Sequence, residues 1–213
     1  MIHDFTASTL ATLLVTLDPP GLAPIFLGLT QGMGDGERRQ VALRACLIAF
    51  AILTFFALGG GEILTLLGIG LPAFRIAGGM LLFWIAFEMV FQARGERKAH
   101  AAQSAVTLDR IRNVAAFPLA MPLLAGPGAI TAAILLAGRA NSDPRLLGVL
   151  IALIAAVLAC CALVFLLAQR FARLLGVTGN IVLTRLLGVI LAALAVQFVI
   201  DGTVAALDGS RQT

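Results

Sequence analysis

Between Arg112 and Arg139 this sequence carries no charged residue for 26 positions, and between Arg145 and Arg170 none for 24. A hydrocarbon layer about 30 Å thick needs about 20 consecutive apolar residues to be crossed by a helix. Runs of this length leave a chain few options. Each is apolar all round, so a single buried stripe does not account for it, and a membrane is the solvent that suits it. A β-barrel would alternate polar and apolar residues over about ten positions, which these runs do not do.

The remainder of the chain agrees. Of 213 residues, 60% are hydrophobic and 12% charged, against about 25% charged in an ordinary soluble domain. Six apolar runs are expected to span, at residues 5–31, 41–58, 71–92, 113–137, 146–168 and 180–206. They fill the length, so we expect one membrane domain, 1–213, with no separate soluble part. Gly59-Gly60-Gly61 is expected to end the second helix, and residues 169–179 to form a connector. Cys46, Cys160 and Cys161 all fall inside apolar runs, which argues against disulfides and against a metal site. The first run has no basic flank and holds Asp18-Pro19-Pro20 in its middle, so it reads as a retained span.

Orientation follows from Lys and Arg. With six spans, the loops after spans 1, 3 and 5 share a side. That side holds Arg38, Arg39, Arg44, Arg94, Arg97, Lys98, Arg110, Arg112, Arg170, Arg173 and Arg185, eleven residues. The opposite side holds three, Arg139, Arg145 and Arg211, or four with Arg75 just inside a helix. The positive-inside rule then expects both termini outside and the loop 93–112 in the cytoplasm. The basic balance therefore reports topology, and no base-reading pattern accompanies it to suggest nucleic acid.

The two halves of the chain resemble one another. Pro20-Gly21 precedes Pro127-Gly128 by 107 residues, and Arg75-x-x-Gly78-x-x-Leu81 precedes Arg185-x-x-Gly188-x-x-Leu191 by 110. Each unit holds three spans, an odd number, so the second must lie inverted relative to the first. We expect repeat 1 over residues 1–92 and repeat 2 over 113–213. Inverted repeats with interrupted helices in matching places are a pattern of secondary transporters. Six of the eight prolines support it: Pro19, Pro20 and Pro24 in span 1, Pro118, Pro122 and Pro127 in span 4. Proline lacks an N–H and clashes with the carbonyl four residues back, so each cluster should break its helix near the bilayer midplane. A half-helix starting at Pro20 and another at Pro127 would each aim a positive dipole end and free N–H groups into a cavity, where an anion or carboxylate can bind.

Leu17-Asp-Pro-Pro-Gly-Leu-Ala-Pro-Ile-Phe26, Glu37-Arg-Arg39, Pro118-Leu-Ala-Met-Pro-Leu-Leu-Ala-Gly-Pro-Gly-Ala-Ile-Thr131 and the ending Arg185, Gly188, Gln197, Asp201-Gly202 resemble the MarC family over nearly the whole chain. That resemblance implies a multi-pass protein of a bacterial or archaeal inner membrane, of the multiple-antibiotic-resistance-related or neutral amino acid transporter type, grouped with LysE-like exporters. The family pattern usually has Asn after the glycine of the first motif; Leu22 stands there in this chain.

The expected substrate site is Asp18, Pro20, Gly21 and Leu22 on one wall and Gly126, Pro127, Gly128 and Thr131 on the other. Asp18 would receive an ammonium or a coupling H+ or Na+; its bland role is to cap the following half-helix. Thr16 and Thr30 are weaker candidates, since a membrane threonine more often bonds its own backbone. Arg75, Glu88, Arg185 and Asp201 also lie within or at the ends of apolar runs, where a charge needs a partner or a route to the interface. If spans 3 and 6 run antiparallel, Arg75–Asp201 and Glu88–Arg185 fall at matching heights, and we expect both pairs to bridge the repeats. Glu62 is a rival partner for Arg75, and snorkelling to the interface is the alternative for both pairs.

The whole predicts an all-α membrane protein of six helices in two inverted repeats, transporting a small zwitterionic solute by alternating access within the bilayer. A channel or a non-transporting membrane partner is the alternative, and a homo-oligomer is compatible with either. No cofactor is expected. An enzyme is not expected, since no Ser/His pair or zinc motif lies at depth and Asp18 is the one central carboxylate, where aspartyl chemistry needs two.

Overall fold

The computed structural model describes residues 2–91, 114–140 and 143–210. Among them every regular element is a helix. The chain forms α1 (Ile2–Leu17), α2 (Pro19–Leu29), α3 (Asp35–Leu66), α4 (Leu71–Val90), α5 (Ala115–Leu124), α6 (Pro127–Arg139), α7 (Pro144–Leu166) and α8 (Ala168–Ser210), of which α5 is a π-helix. The loop expected at 93–112 lies outside the described residues.

Local chemistry sets most boundaries. The α1–α2 break falls on Asp18, the residue before two prolines, whose rings disfavour the α conformation in the residue ahead of them. Asp18 takes the left-handed conformation at φ 55°. At the start of α3 the Gly34 N–H donates to Glu37 Oε2 at 2.9 Å, one half of a capping box. At its end Gly68 adopts φ 70°, and the Ile69 N–H reaches back to the Leu64 carbonyl at 2.9 Å, a left-handed glycine closure that satisfies orphan carbonyls. Asp143 caps α7 by accepting from the Arg145 N–H at 2.8 Å.

Among the described residues, five stretches are long and apolar enough to cross a membrane: Ile2–Leu29, Asp35–Leu66, Leu71–Val90, Pro144–Leu166 and Thr178–Asp208. The run expected as span 4 is divided. The Ala125 N–H bonds the Ala120 carbonyl, five residues back, at 2.7 Å, and the Met121–Pro122 peptide is cis. The 13-residue α6 that follows is about 20 Å long, too short to cross the layer alone.

Two expectations are corrected. Gly59-Gly60-Gly61 does not end a helix: α3 runs through it to Leu66. A Cβ on Gly60 would stand 2.6 Å from Ile134 Cγ1, so Gly60 admits α6 against α3. Residues 169–179 are helical except at Gly176, whose φ of 60° and ψ of −178° kink α8. That conformation is nearly exclusive to glycine, so the turn needs one residue where a loop was expected.

The broken spans sit innermost. Over half of the apolar window in Ile2–Leu29 is buried by the rest of the chain, and Leu13, Leu17, Leu22, Leu124, Leu135 and Leu136 are fully enclosed. Around them α3 packs on α5, α6 and α7, while α7 packs on α1 and α2; α4 packs on α6 and α8, and α8 on α2. The closest pairing joins α4 to α8 through glycines. A Cβ on Gly79 would lie 2.7 Å from the Ala195 carbonyl, one on Gly188 2.9 Å from Met89 Cβ, and one on Gly202 2.9 Å from Ile76 Cγ1. As residue numbers rise on α4 they fall on α8, the antiparallel register expected from the charges. Small residues at such contacts let helix backbones approach where no hydrophobic force drives them together.

Candidate functional site at two helix breaks

The breaks at Asp18 and Gly126 lie close together, because a Cβ on Gly128 would stand 3.7 Å from Thr16 Cγ2 and would overlap Ile85 Cδ1. The end of α1 thus meets the start of α6, with Ile85 of α4 closing the third side. Local chemistry differs between the two.

At the first break Asp18 is 3% exposed. Its Oδ1 accepts from the Gly21 N–H at 3.2 Å and its carbonyl from the Leu22 N–H at 3.2 Å. Pro19 and Pro20 have no N–H to offer. All four leading positions of α2 are therefore accounted for, so the expectation that this half-helix presents free N–H groups to an anion is not met. Asp18 performs the capping role, and among the described residues its Oδ2 accepts no hydrogen bond. Gly21 is required here, since its Cβ would lie inside the Asp18 carboxylate. Leu22, fully buried, belongs to the apolar core and not to a polar wall.

The second break is uncapped. Gly126 is the N-cap residue of α6 and has no side chain to cap with, while Pro127 at the first position lacks an N–H. The first main-chain bond of the helix runs from the Ile130 N–H to the Gly126 carbonyl at 3.0 Å. The N–H groups of Gly128 and Ala129, both buried residues, have no acceptor among the described residues. Buried helix ends are ordinarily satisfied by side chains, water or ligand. Gly126 cannot carry a side chain, because its Cβ would overlap the Pro122 carbonyl oxygen. Thr131, one turn into α6, turns to α4, with its Cγ2 2.6 Å from where a Gly78 Cβ would be.

Sequence reasoning overlooked a polar stripe leading to this place. Thr9, Thr12 and Thr16 are buried on α1, spaced three and four residues apart and so on one helix face. The Thr12 hydroxyl donates to the Ser8 carbonyl at 2.7 Å, whereas the buried Thr9 Oγ1 has no partner among the described residues. The 3–4 spacing was the available signal. A cavity of about 340 Å³ lies elsewhere, lined in part by Gly61, Leu71, Ile134 and Gly138.

The charge pairs are rearranged. Asp201 pairs with Arg139 at 2.6 Å, not with Arg75. Gln197 donates to its other oxygen at 2.7 Å, and the Arg139 guanidinium stands 4.2 Å over the Phe198 ring. Arg75 is beside Gly202 as the register requires, but its Nη2 donates to the Gly138 carbonyl at 3.4 Å. The last turn of α6 lies beside α4, where its Gly138 carbonyl takes Arg75, and the Arg139 side chain reaches across to Asp201 and Phe198 of α8. Glu88, buried, accepts from Trp84 Nε1 at 3.1 Å. Arg185 is exposed and makes no ion pair among the described residues, so the pair expected with Glu88 is not formed.

Comparison with known proteins places the chain. The profile of the MarC family of integral membrane proteins matches residues 3–207, and the chain belongs to that family. It is 39% identical to a UPF0056 membrane protein of Aquifex aeolicus, over 90% of this chain and 88% of that one. A UPF0056 membrane protein of Archaeoglobus fulgidus is also 39% identical, covering 93% and 92%, and YhcE of Escherichia coli is 36% identical, covering 89% and 87%. No solved structure matches.

Proposed function

We propose that this MarC-family membrane protein is a secondary transporter of small zwitterionic solutes, of the neutral amino acid kind, working by alternating access between two inverted three-helix repeats. The carrying observation is the pair of helix breaks at matching places in the two halves, in contact through Thr16 and Gly128. Exchanging the halves also exchanges the packing partners: α3 on α5 and α6 answers to α7 on α1 and α2, and α4 on α6 answers to α8 on α2. Both termini face outward in this reading, with H+ or Na+ as the coupling ion.

The two breaks divide the work. The buried, unoccupied N–H groups of Gly128 and Ala129 suit the substrate carboxylate, as helix N-termini do. Asp18 Oδ2 and the threonine stripe suit the ammonium or the coupling cation. Leu22, in place of a polar residue, leaves recognition to backbone and hydroxyl groups and suits a solute with a small side chain.

Counterflow in proteoliposomes tests the proposal. Labelled neutral amino acids should accumulate against the same unlabelled solute inside, saturably. A folded protein that exchanges no member of the panel above protein-free vesicles defeats it. Flux that never saturates favours a channel instead.

A further inference from the structure

Along the outer surface, α3 and the second half of α7 enclose an apolar groove of about 440 Å³. Cys46, Leu158 and Ala162 form a buried floor, and Leu47 and Leu163 are exposed rims, 68% and 57% accessible. The groove ends where charge collects. Arg39 lies on the groove face of α3, one turn ahead of the groove-lining Leu43, and Arg44 lies at the edge of that face. Arg170 follows the end of α7. All three are exposed, and none makes an ion pair among the described residues. Their neighbour Arg38, by contrast, is engaged by the Thr30 carbonyl at 3.3 Å.

We propose that this groove is a specific site for one anionic diacyl phospholipid of the leaflet on the arginine side, its acyl chain in the groove and its phosphate at Arg39 and Arg44. The shape alone would accept any acyl chain, since every lipid supplies one. The arginines make the difference: a cationic mouth on an apolar cleft between membrane helices favours a head group with net negative charge. A zwitterionic head group brings its own ammonium and gains less from the same guanidinium groups. Arginine suits the role, because its planar fork meets phosphate oxygens in pairs. Cys46, Ala155, Ala159 and Ala162 are small, which keeps the cleft open; a large side chain at Ala159 would fill it without entering the core, since Ala159 is itself exposed. This inference does not depend on the transport reading.

Native mass spectrometry of the full chain tests it, with phosphatidylglycerol and phosphatidylethanolamine of matched acyl chains added to delipidated protein. The wild type should retain one phosphatidylglycerol in preference. Each arginine removed from the mouth should weaken that lipid about fivefold, the worth of one basic residue near an anionic surface. The Arg39→Ala/Arg44→Ala double variant should lose the preference and Ala159→Phe should lose the lipid, while Arg145→Ala, at the other end of α7, should change neither. Equal retention of the two lipids overturns the proposal. So does a phosphatidylglycerol signal that survives both Ala159→Phe and the arginine variants, or a dimer mass that Ala159→Phe abolishes, which would make a second copy the occupant. Thermal unfolding of each variant checks that the fold persists, and Ala159→Phe decides the matter alone if the double arginine variant unfolds.

Discussion

Replacing Gly79 by alanine adds one methyl group at the closest point of the α4–α8 contact. That methyl would stand 2.7 Å from the Ala195 carbonyl oxygen, 2.7 Å from Val199 Cγ2 and 3.1 Å from the Val199 nitrogen. Two of these three atoms are backbone and cannot rotate away, so the helices must separate. Overpacking of this kind costs about 1–3 kcal/mol, and contacts this short belong at the upper end. Alanine returns up to about 1 kcal/mol of helix propensity, leaving a net loss of about 2 kcal/mol. At about 2–4 °C per kcal/mol for a chain of this size, Tm should fall by about 4–8 °C. Gly59→Ala is the matched control: it lies inside α3 with nothing within 4 Å of its Cβ position, so it keeps the propensity gain and should raise Tm by up to about 4 °C. Trp84, the single tryptophan, sits on α4 and reports unfolding in detergent by its own fluorescence. Adding Val199→Ala to Gly79→Ala should leave most of the loss in place, because the Ala195 carbonyl remains. Equal Tm values for Gly79→Ala and Gly59→Ala, or full recovery with Val199→Ala, would refute a backbone-limited contact.

Gly128→Ala overlaps the flexible end of Ile85, with Thr16 at ordinary contact distance, so Ile85→Val, which removes the overlapping Cδ1, should restore both its stability and its counterflow, whereas Gly128→Val should abolish transport in a protein that still unfolds cooperatively. Asp18→Ala should cost about 0.5–2 kcal/mol through loss of the cap; Asp18→Asn keeps an acceptor and should hold its Tm while impairing counterflow. A double-mutant cycle on Arg139→Gln and Asp201→Asn, read by thermal unfolding, should show coupling of about 1 kcal/mol for this half-exposed pair, and a cycle on Arg75→Gln and Asp201→Asn should show less. In a Cys-free background on intact cells, an impermeant thiol reagent should label Leu67→Cys and spare Gly36→Cys; the reverse pattern would invert the proposed topology.

The sequence by itself determined the class of solvent, the two proline breaks and the register of the α4–α8 pair. Each rests on local or periodic physics. Uncharged runs need lipid, proline without an N–H interrupts a helix wherever it stands, and Arg75 and Asp201 mark equal depths because charges at membrane depth are costly. Tertiary structure alone decided which partners those groups take. Nothing local distinguishes Gly60, which admits Ile134, from Gly59 and Gly61, which face open space, so a helix end was expected where there is a close contact. Nothing local says that the last turn of α6 comes to lie beside α4, from where Arg139 reaches across to Asp201 of α8. The two breaks read alike as sequence, Pro-Gly in each. They differ in three dimensions because Asp18 folds back on its own half-helix, while Gly126, pressed against the Pro122 carbonyl, has no room for a side chain that could do the same.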